Sequence, residues 1–328
     1  MLNNKRILIT GGTGSFGEFF VNKIIKEYPK ATVIIYSRDE FKQFIMSQKL
    51  SDYSHRVRFF IGDVRDKDRL YRAFEGVDYV VHAAALKHVP ICEYNPFEAI
   101  KTNIYGAQNI IDVAIDQHVK KVVALSTDKV VNPTNLYGAT KLCSDKLFIS
   151  ANAYTGKSGT ILSVARCGNI AGSRGSVIPY FKSLIQEGIS YIPITHPDMT
   201  RFWINLNRVC NLVLGAINKS KGGETYIPKM PSFKITDLAK AIAPNLPIKV
   251  IGIRSGEKLH EDMILSQDSD YTYDYNSHYI IYPHLDWWNK EQHFMANGIK
   301  VPSNFEYISN TNKHWLTVKE MSQIVSAL

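Results

Sequence analysis

Six short apolar segments in the first half of the chain constrain the fold more than any other feature of the sequence. They lie at residues 6–10, 32–36, 57–62, 78–84, 121–126 and 161–166. Each is rich in β-branched residues, which is typical of strands buried on both faces of a sheet. Stretches with helical periodicity separate them. Strands that alternate with helices predict βαβ units and an α/β fold with a doubly wound parallel sheet.

The helical stretches and the looser pattern after residue 166 predict two parts of the chain. We predict helices at residues 15–28, 66–76, 97–117, 137–154, 177–187, 205–218 and 235–243. The regular alternation of strands and helices indicates a domain built on the sheet over residues 1–166. Segments near residues 200–222 are expected to return to this domain. A smaller α/β portion for substrate binding is expected over residues 167–328. The tail from about residue 266 is aromatic and polar and shows little periodicity.

Net charge and composition limit the classes of ligand that the chain is expected to bind. The net charge of +9 favours anionic ligands, but the 39 Lys and Arg are scattered and form no basic run. Phosphorylated small molecules are therefore favoured over nucleic acid. We expect neither a transmembrane helix nor a signal peptide, because no apolar run is long enough and the N-terminus leads straight into a strand. The four cysteines, Cys92, Cys143, Cys167 and Cys210, form no CxxC pair. They predict buried thiols, no metal site and a reducing, cytoplasmic location.

A glycine-rich turn follows the first predicted strand and opens the first helix. In the string TGGTGSFG, Gly11, Gly14 and Gly17 are three residues apart. Glycines at this place permit a tight turn and the close approach of a pyrophosphate, which the helix N-terminus attracts. A glycine turn by itself is a weak signal. With a strand before it and a helix after it, it predicts a dinucleotide site.

The residues after the second strand bear on which dinucleotide binds. A carboxylate there would hold the ribose hydroxyls of NAD, whereas this chain has Ser37 and Arg38, with Lys42 one helical turn further on. An arginine suits a 2′-phosphate, so the sequence favours NADP. The alternative is a solvated helix start at which Asp39 and Glu40 interact with the helix dipole.

Other strand ends complete the predicted cofactor site. Asp63, after the third strand, is placed to bind adenine, and small residues after the fourth strand allow a close approach of the main chain. The predicted cofactor-binding residues are Gly11, Thr13, Gly14, Ser15, Phe16, Gly17, Ser37, Arg38, Asp39, Lys42, Asp63, Val64, Ala83, Ala84, Ala85, Lys87, Tyr137 and Lys141.

The segment STDKVVNPTNLYGATK, residues 126–141, carries the candidate chemistry. Tyr137 and Lys141 are four residues apart at the start of a predicted helix and project from one face. A Lys ammonium beside a phenol is expected to lower the phenol's pKa from about 10 toward neutrality, which makes the phenol a usable base. Thr127, at the carboxyl end of the fifth strand, can hold the same substrate hydroxyl.

These motifs together resemble the extended short-chain dehydrogenase/reductases that act on nucleotide sugars. Within that group, the chain closely resembles the configuration-inverting UDP-N-acetylglucosamine 4,6-dehydratases of pseudaminic acid synthesis. The resemblance covers residues 5 to about 265. It rests on the strings TGGTGSFG, YSRDEFKQF, HAAALKHVPICEYNP, STDKVVNPTNLYGATK, GNIAGSRGSVIPYF, MTRFWI and IRSGEKLHE.

The resemblance implies a lyase that uses NADP and converts UDP-N-acetylglucosamine to UDP-2-acetamido-2,6-dideoxy-β-L-arabino-hex-4-ulose. Its catalytic residues would be Thr127, Asp128, Lys129, Tyr137 and Lys141. Tyr137 would take the proton of the 4-hydroxyl, Asp128 would act as the acid and Lys129 as the base. The last two roles require a neutral Lys129 and a protonated Asp128 near pH 7. Relatives that retain the configuration of carbon 5 usually have Glu where this chain has Lys129.

The resemblance also implies substrate contacts and an assembly. Two arginines would pair with phosphate oxygens and Glu257 would hold the uridine ribose, although each of these residues has a surface or interdomain ion pair as its alternative. The predicted substrate-binding residues are Lys87, Ser126, Thr127, Asn169, Arg201, Arg254 and Glu257. A homo-oligomer, either a dimer or a hexamer, is expected.

Other functions stay open at this point. They are a retaining 4,6-dehydratase, a capsule-type dehydratase/5-epimerase on the same substrate, a simple NADP-linked reductase and a catalytically silent NADP-binding protein.

Overall fold

The computed structural model describes residues 1–285, 288 and 297–327 of the chain. Its strands are Arg6–Thr10 (β1), Thr32–Ser37 (β2), Val57–Ile61 (β3), Tyr79–His82 (β4), Lys121–Thr127 (β5), Ile161–Cys167 (β6), Asn169–Ile170 (β7), Ile192–Ile194 (β8), Thr200–Ile204 (β9), Thr225–Pro228 (β10), Ser232–Lys234 (β11), Ile248–Val250 (β12), Asp262–Ile264 (β13), Thr272–Asp274 (β14), His278–Ile281 (β15), Ile299–Lys300 (β16) and Tyr307–Ile308 (β17). Its α-helices are Ser15–Glu27 (α1), Glu40–Lys49 (α2), Lys67–Phe74 (α3), Val89–Tyr94 (α4), Pro96–Ile100 (α5), Gly106–Asp116 (α6), Leu136–Ser150 (α7), Val177–Gln186 (α8), Leu206–Lys219 (α9), Ile235–Ile242 (α10) and Val318–Ser326 (α11).

The largest sheet in the described part of the chain has ten strands. Their order is β3-β2-β1-β4-β5-β6-β10-β15-β14-β16. The strands from β3 to β10 pair in parallel, and the last three are antiparallel. The order 3-2-1-4-5-6 is that of the Rossmann dinucleotide-binding fold. The predicted doubly wound α/β sheet is confirmed.

Both faces of this sheet are buried, which explains the continuous apolar strands. Ile7 and Ile9 of β1 lie in one core cluster, together with Phe20 of α1. Leu8 lies between them in the sequence and belongs to the cluster on the other face, with Phe74 of α3. Because successive strand residues point to opposite faces, every position of a doubly covered strand must be apolar.

A smaller core is formed mainly by residues after 170. Ile178 of α8, Leu238 of α10 and Met321 of α11 are among its buried members. The short strand β13 belongs to this later part of the chain, pairs with β17 and contacts the 3₁₀ turn Asp128–Val130 after β5. Elements of the C-terminal part therefore reach the carboxyl end of the main sheet.

Some elements differ from the sequence-based expectations. The helix predicted at residues 97–117 is α5, a π-helical turn at Lys101–Tyr105 and α6 in succession. A helix start at Asp39 and Glu40 was considered, but no bounds were predicted for α2, and α4 and α11 were not predicted. Strands β14, β15 and β16 come from the tail that showed little periodicity, yet they extend the main sheet. The division of the chain at residue 166 stays a prediction.

The cysteines are all unpaired, but they are not all buried. Cys92, Cys167 and Cys210 are buried, whereas Cys143 is exposed. The expectation of four buried thiols is wrong for Cys143, because it lies on the solvent side of α7. No helix within residues 1–285 and 297–327 has the length and apolar character needed to cross a membrane.

Candidate active site

A cleft of about 970 Å³ lies at the carboxyl edge of the main sheet. Ligands of open α/β sheets bind at this edge, where the strand order reverses. All of the predicted cofactor-binding residues line the cleft, and so do all five predicted catalytic residues. Of the predicted substrate-binding residues, Arg201, Arg254 and Glu257 are absent from its lining.

The glycine loop closes one end of the cleft. Gly11 has a φ of +66°, and a Cβ atom at this residue would lie 2.9 Å from the main-chain nitrogen of Ala84. Only glycine accommodates both constraints. Gly14 caps α1 without any side-chain hydrogen bond. The N-terminus of α1 therefore faces the cleft without a capping side chain, as an anion site requires.

The end of β2 presents a mixed set of charges. The Asp39 carboxylate accepts a hydrogen bond from the Lys42 main-chain nitrogen at 2.9 Å, and the Lys42 ammonium is 2.5 Å from the same carboxylate. These bonds lower the pKa of Asp39. About half of the Arg38 side chain is exposed, and its guanidinium is 3.6 Å from Asp63. Arg38 and Lys42 are thus each paired with a carboxylate, and about half of each side chain is exposed.

The carboxyl end of β5 forms the floor of the cleft. The Thr127 hydroxyl donates to Asp128 Oδ1 at 2.9 Å, and Lys129 Nζ donates to the same oxygen at 3.0 Å. Asp128 is fully buried, while a quarter of the Lys129 side chain is exposed. A second carboxylate oxygen, Glu261 Oε1, is 3.4 Å from Lys129 Nζ. The Lys129 amine therefore lies between two buried carboxylates.

The charges at this floor determine the resting protonation state of Lys129. Burial by itself would lower the pKa of Lys129, but the carboxylates of Asp128 and Glu261 outweigh it and raise that pKa above its ordinary value. At rest the amine is therefore an ammonium. The base role requires a neutral Lys129, and the second carboxylate, which the sequence did not reveal, works against that requirement.

Beside the floor, Lys141 is buried and Tyr137 is partly buried. Burial raises the pKa of Tyr137 to about 12, against the opposing effects of the Lys129 charge and of a hydrogen bond with Thr127. The expected lowering of the phenol's pKa by Lys141 is therefore wrong. Burial lowers the pKa of Lys141, and the Asp145 charge opposes this.

The first turn of α7 positions these two side chains. Asn135 caps the helix by accepting a hydrogen bond from the Gly138 main-chain nitrogen at 2.8 Å. A Cβ atom on Gly138 would lie 2.2 Å from the main-chain oxygen of Lys129. The absence of a side chain at Gly138 therefore lets α7 pack directly on the turn that carries the Asp128–Lys129 pair.

The other predicted residues that line the cleft differ in their hydrogen-bond partners. Lys87 Nζ donates to the main-chain oxygen of Arg174 at 2.9 Å, and the Ser126 hydroxyl donates to Asp145 at 2.6 Å. Asn169 Oδ1 is buried and has no hydrogen-bond partner in the part of the chain that the structure describes. A buried carbonyl oxygen that lines a cleft without a donor suits a ligand that supplies one.

A scan against protein families identifies the class of this chain. Residues 7–283 match the family described as polysaccharide biosynthesis protein. The chain belongs to this family. A curated relative from Campylobacter jejuni subsp. jejuni serotype O:2, the UDP-N-acetylglucosamine 4,6-dehydratase (inverting), is 54% identical over 99% of this chain and 98% of its own length.

Solved structures agree with the family assignment. Pen from Bacillus thuringiensis is 38% identical, with a TM-score of 0.91 over 100% of this chain and 98% of that one. A double mutant of DesIV, a dTDP-glucose 4,6-dehydratase from Streptomyces venezuelae with NAD and DAU bound, is 25% identical. Its TM-score is 0.70 over 77% of this chain and 86% of that one. Extended short-chain dehydrogenase/reductase architecture is thus shared with a sugar-nucleotide dehydratase.

Three predicted substrate residues of this polysaccharide biosynthesis family member lie away from the cleft. The Arg201 guanidinium is buried and donates to main-chain oxygens of residues 200, 258 and 259. Arg254 Nε donates to Glu257 Oε1 at 3.0 Å, so these two side chains pair with each other. Their substrate roles stay predictions.

Two residues near the cleft were missed by the sequence reasoning. The Arg174 guanidinium donates to the main-chain oxygen of Thr13 at 3.0 Å, and it is 3.3 Å from Glu18. Its only sequence signal is a lone arginine between Gly and Ser residues. Glu261 ends the string IRSGEKLHE, but nothing local in that string distinguishes it from Glu257. Within the described residues, no group of three or more His, Cys, Asp or Glu could hold a metal ion.

Proposed function

We propose that this protein is an NADP-dependent UDP-N-acetylglucosamine 4,6-dehydratase that inverts carbon 5. The observation that carries the proposal is the hydrogen-bonded Asp128–Lys129 pair beside Tyr137 in the cleft of the glycine loop. A simple oxidation or reduction needs a base such as Tyr137 but has no use for an added acid–base pair, whereas elimination of water needs both an acid and a base. The inverting dehydratase that is 54% identical over nearly the full length supports the same reaction.

The cleft fits a nicotinamide dinucleotide. The main-chain cradle at Gly11 and the uncapped N-terminus of α1 suit a pyrophosphate, and the DesIV relative has NAD bound. A dinucleotide held there would supply hydride chemistry, taking a hydride from carbon 4 of the sugar and returning it to carbon 6. Arg38 would hold a 2′-phosphate, which supports NADP as the form used by this chain.

The side chains at the floor perform the proton transfers. Tyr137 would take the proton of the 4-hydroxyl, which Thr127 orients, as a phenolate; the Lys129 charge and the positive charge of an oxidised nicotinamide would favour that form against the effect of burial. A shift of one proton from Lys129 Nζ to Asp128 Oδ1, along the 3.0 Å hydrogen bond, converts the resting ion pair into a neutral amine and a carboxylic acid. The amine then removes the proton from carbon 5, and the acid protonates the departing 6-hydroxyl.

One experiment separates this function from its alternatives. Purified protein is incubated in deuterated water with UDP-N-acetylglucosamine and no added reductant, and the products are followed by NMR. We expect a 6-deoxy-4-keto sugar with deuterium at carbon 5 and the L configuration. A D-configured product would support a retaining dehydratase instead, and unchanged substrate would support a silent NADP-binding protein. The pathway that uses the product, pseudaminic acid synthesis, and the homo-oligomeric state are further parts of the proposal.

A further inference from the structure

Four charged side chains form a cluster at and behind the cleft floor. Two of them belong to the segment of residues 126–141, and the other two come from later in the chain. Lys129 Nζ is 3.0 Å from Asp128 Oδ1 and 3.4 Å from Glu261 Oε1. Arg201 Nε is also 3.4 Å from Glu261 Oε1. Two carboxylates and two cations thus alternate in one cluster. Asp128 and Lys129 line the cleft, whereas Glu261 and Arg201 do not.

The main chain holds Glu261 firmly in this place. Its nitrogen donates to the Ser309 hydroxyl at 2.9 Å, and its oxygen accepts from the Ser309 nitrogen at 2.9 Å. Glu261 immediately precedes β13, which contacts the turn of residues 128–130. Its side chain is 2% exposed. Glu261 is therefore a fixed carboxylate behind Lys129 and not a mobile surface acid.

One oxygen of each carboxylate is unengaged. Asp128 Oδ2 and Glu261 Oε2 are buried and make no hydrogen bond to any described residue. A buried charged oxygen without a donor is unfavourable in a structure that has no use for it. Such an arrangement at a reacting group is typical of a site where protons move.

Other charged groups face the cluster from each side. Lys258 lies near Glu261 but pairs with Asp262 at 3.1 Å and donates to the main-chain oxygen of Val131. On the cleft side, the Lys129 charge acts on Tyr137 and on Lys87. Within the described residues, Glu261 is therefore the carboxylate other than Asp128 that contacts the Lys129 amine.

We propose that Glu261 is a positioning residue for the acid–base pair: its carboxylate holds the Lys129 amine beside Asp128 and stabilises the ammonium that Lys129 becomes when it takes the carbon-5 proton. This inference rests on the dehydratase function proposed above. In the elimination step, the C–H bond at carbon 5 breaks and an N–H bond forms at Lys129 Nζ. The electron pair forms the double bond between carbons 5 and 6. The 6-hydroxyl leaves as water with the proton from Asp128.

The step returns the cluster to its resting ionic form, which explains why a second carboxylate is useful there. Ammonium at Lys129 and carboxylate at Asp128 are the products of the transfer, and Glu261 stabilises the ammonium. The Glu261 charge strengthens Lys129 as a base in the elimination step, and the same charge opposes the earlier shift of the proton to Asp128. The contribution of Glu261 to the rate is therefore to hold the Lys129 amine in place beside Asp128. Burial raises the pKa of Glu261 itself, although Lys129 and Arg201 oppose the rise.

Glu261→Gln, which keeps the shape and removes the charge, tests the proposal. The pair is active only while it holds the one proton that Lys129 and Asp128 share, so the rate falls at high pH as that proton is lost to solvent. Without the Glu261 charge the pKa of Lys129 falls, and this descending limb of the kcat–pH profile moves to lower pH. We expect kcat to fall roughly 10- to 100-fold, as when a partner that orients a reacting group is lost, with little change in KM or in NADP retention. The isotope effect of a carbon-5 deuterated substrate on kcat is expected to increase.

Glu224→Gln is the matched control. Glu224 is fully buried and has a pKa that burial raises, but its carboxylate accepts main-chain hydrogen bonds at residues 221 and 222, away from the cleft. Its replacement is expected to lower stability and leave the pH profile unmoved. Glu261→Asp retains the charge but withdraws it, so kcat falls while the descending limb stays closer to its wild-type pH than in Glu261→Gln. If Glu261→Gln does not fold, the proposal is tested on Glu261→Asp instead.

Two results would overturn the inference. One is a Glu261→Gln enzyme with the wild-type pH limb and isotope effect, and the other is an equal shift in Glu224→Gln. If the wild-type protein forms no 6-deoxy-4-keto sugar, the proposed function fails first. These failures are therefore distinguishable.

Discussion

Gly138→Ala should test whether the rate depends on the position of the catalytic side chains, because it moves them without changing their chemical identity. The new Cβ atom would lie 2.2 Å from the main-chain oxygen of Lys129 and 3.2 Å from Pro133 Cβ. Carbon–oxygen contacts this short do not occur, and the obstacle is main chain, which cannot rotate away. The first turn of α7 must therefore move by about 1 Å relative to the Asp128–Lys129 pair, and a displacement of about 1 Å in an active site lowers the rate on the order of 100-fold. We expect this loss in kcat, because Tyr137 and Lys141 move with the helix.

Two measurements distinguish a displaced active site from a destabilised protein: the stability of the variant and the behaviour of a matched glycine variant. Forcing an extra methyl group into packed main chain destabilises by about 1–3 kcal/mol, which urea unfolding measures. Gly215 lies inside α9, and a Cβ there meets no atom within 4 Å. Gly215→Ala should stabilise by about 0.4–1 kcal/mol and leave turnover unchanged. Product formation is measured by the same NMR assay for both variants. Wild-type turnover in Gly138→Ala would refute the claim that close packing of α7 on Lys129 positions the site.

Three further substitutions test other parts of the cleft. Lys129→Met should retain the bound dinucleotide but abolish elimination, because Asp128 loses its proton-transfer partner; measurable 4-keto product would remove Lys129 from the mechanism. Arg174→Gln should raise the Kd for the dinucleotide roughly 10-fold, because it loses a charge-assisted hydrogen bond to the Thr13 main-chain oxygen on the glycine loop. Titration by fluorescence measures this, and an unchanged Kd would contradict it. Arg38→Ala should reduce the preference for NADP over NAD in the same titration, and an unaltered ratio would assign the 2′-phosphate to another residue.

The Rossmann half of the fold could be predicted because its pattern is local. Five of the six predicted strands are buried on both faces and the edge strand β3 is partly buried, so their apolar runs are visible without any knowledge of their partners. Strands β14, β15 and β16 were missed because they extend the sheet at its antiparallel end, where aromatic and polar side chains blur the alternation. The π-helical turn at Lys101–Tyr105 has no signature in helical periodicity.

The same reasoning explains which site residues the sequence revealed. The cofactor side of the cleft is built from residues that directly follow strands, so their place at the sheet edge follows from the strand order. Arg201 and Glu261 reach the catalytic turn from positions more than 70 residues away along the chain. A string such as IRSGEKLHE contains several charged residues. The contact of β13 with the turn of residues 128–130 brings Glu261 to Lys129, whereas Glu257 pairs locally with Arg254.

The charge cluster changes how the chemistry of Lys129 must be understood. From the sequence, a neutral Lys129 and a protonated Asp128 are two separate unfavourable requirements, each with its own pKa shift. In the mechanism proposed above, both follow from one proton that moves along the 3.0 Å hydrogen bond between them. The total charge of the cluster with Glu261 and Arg201 is the same before and after this shift. Loss of the Lys129 proton to solvent would instead leave a net negative charge in a buried site, which is strongly unfavourable. The reactive form is therefore reached by a transfer inside the pair, and the charges that surround the pair control how readily it occurs.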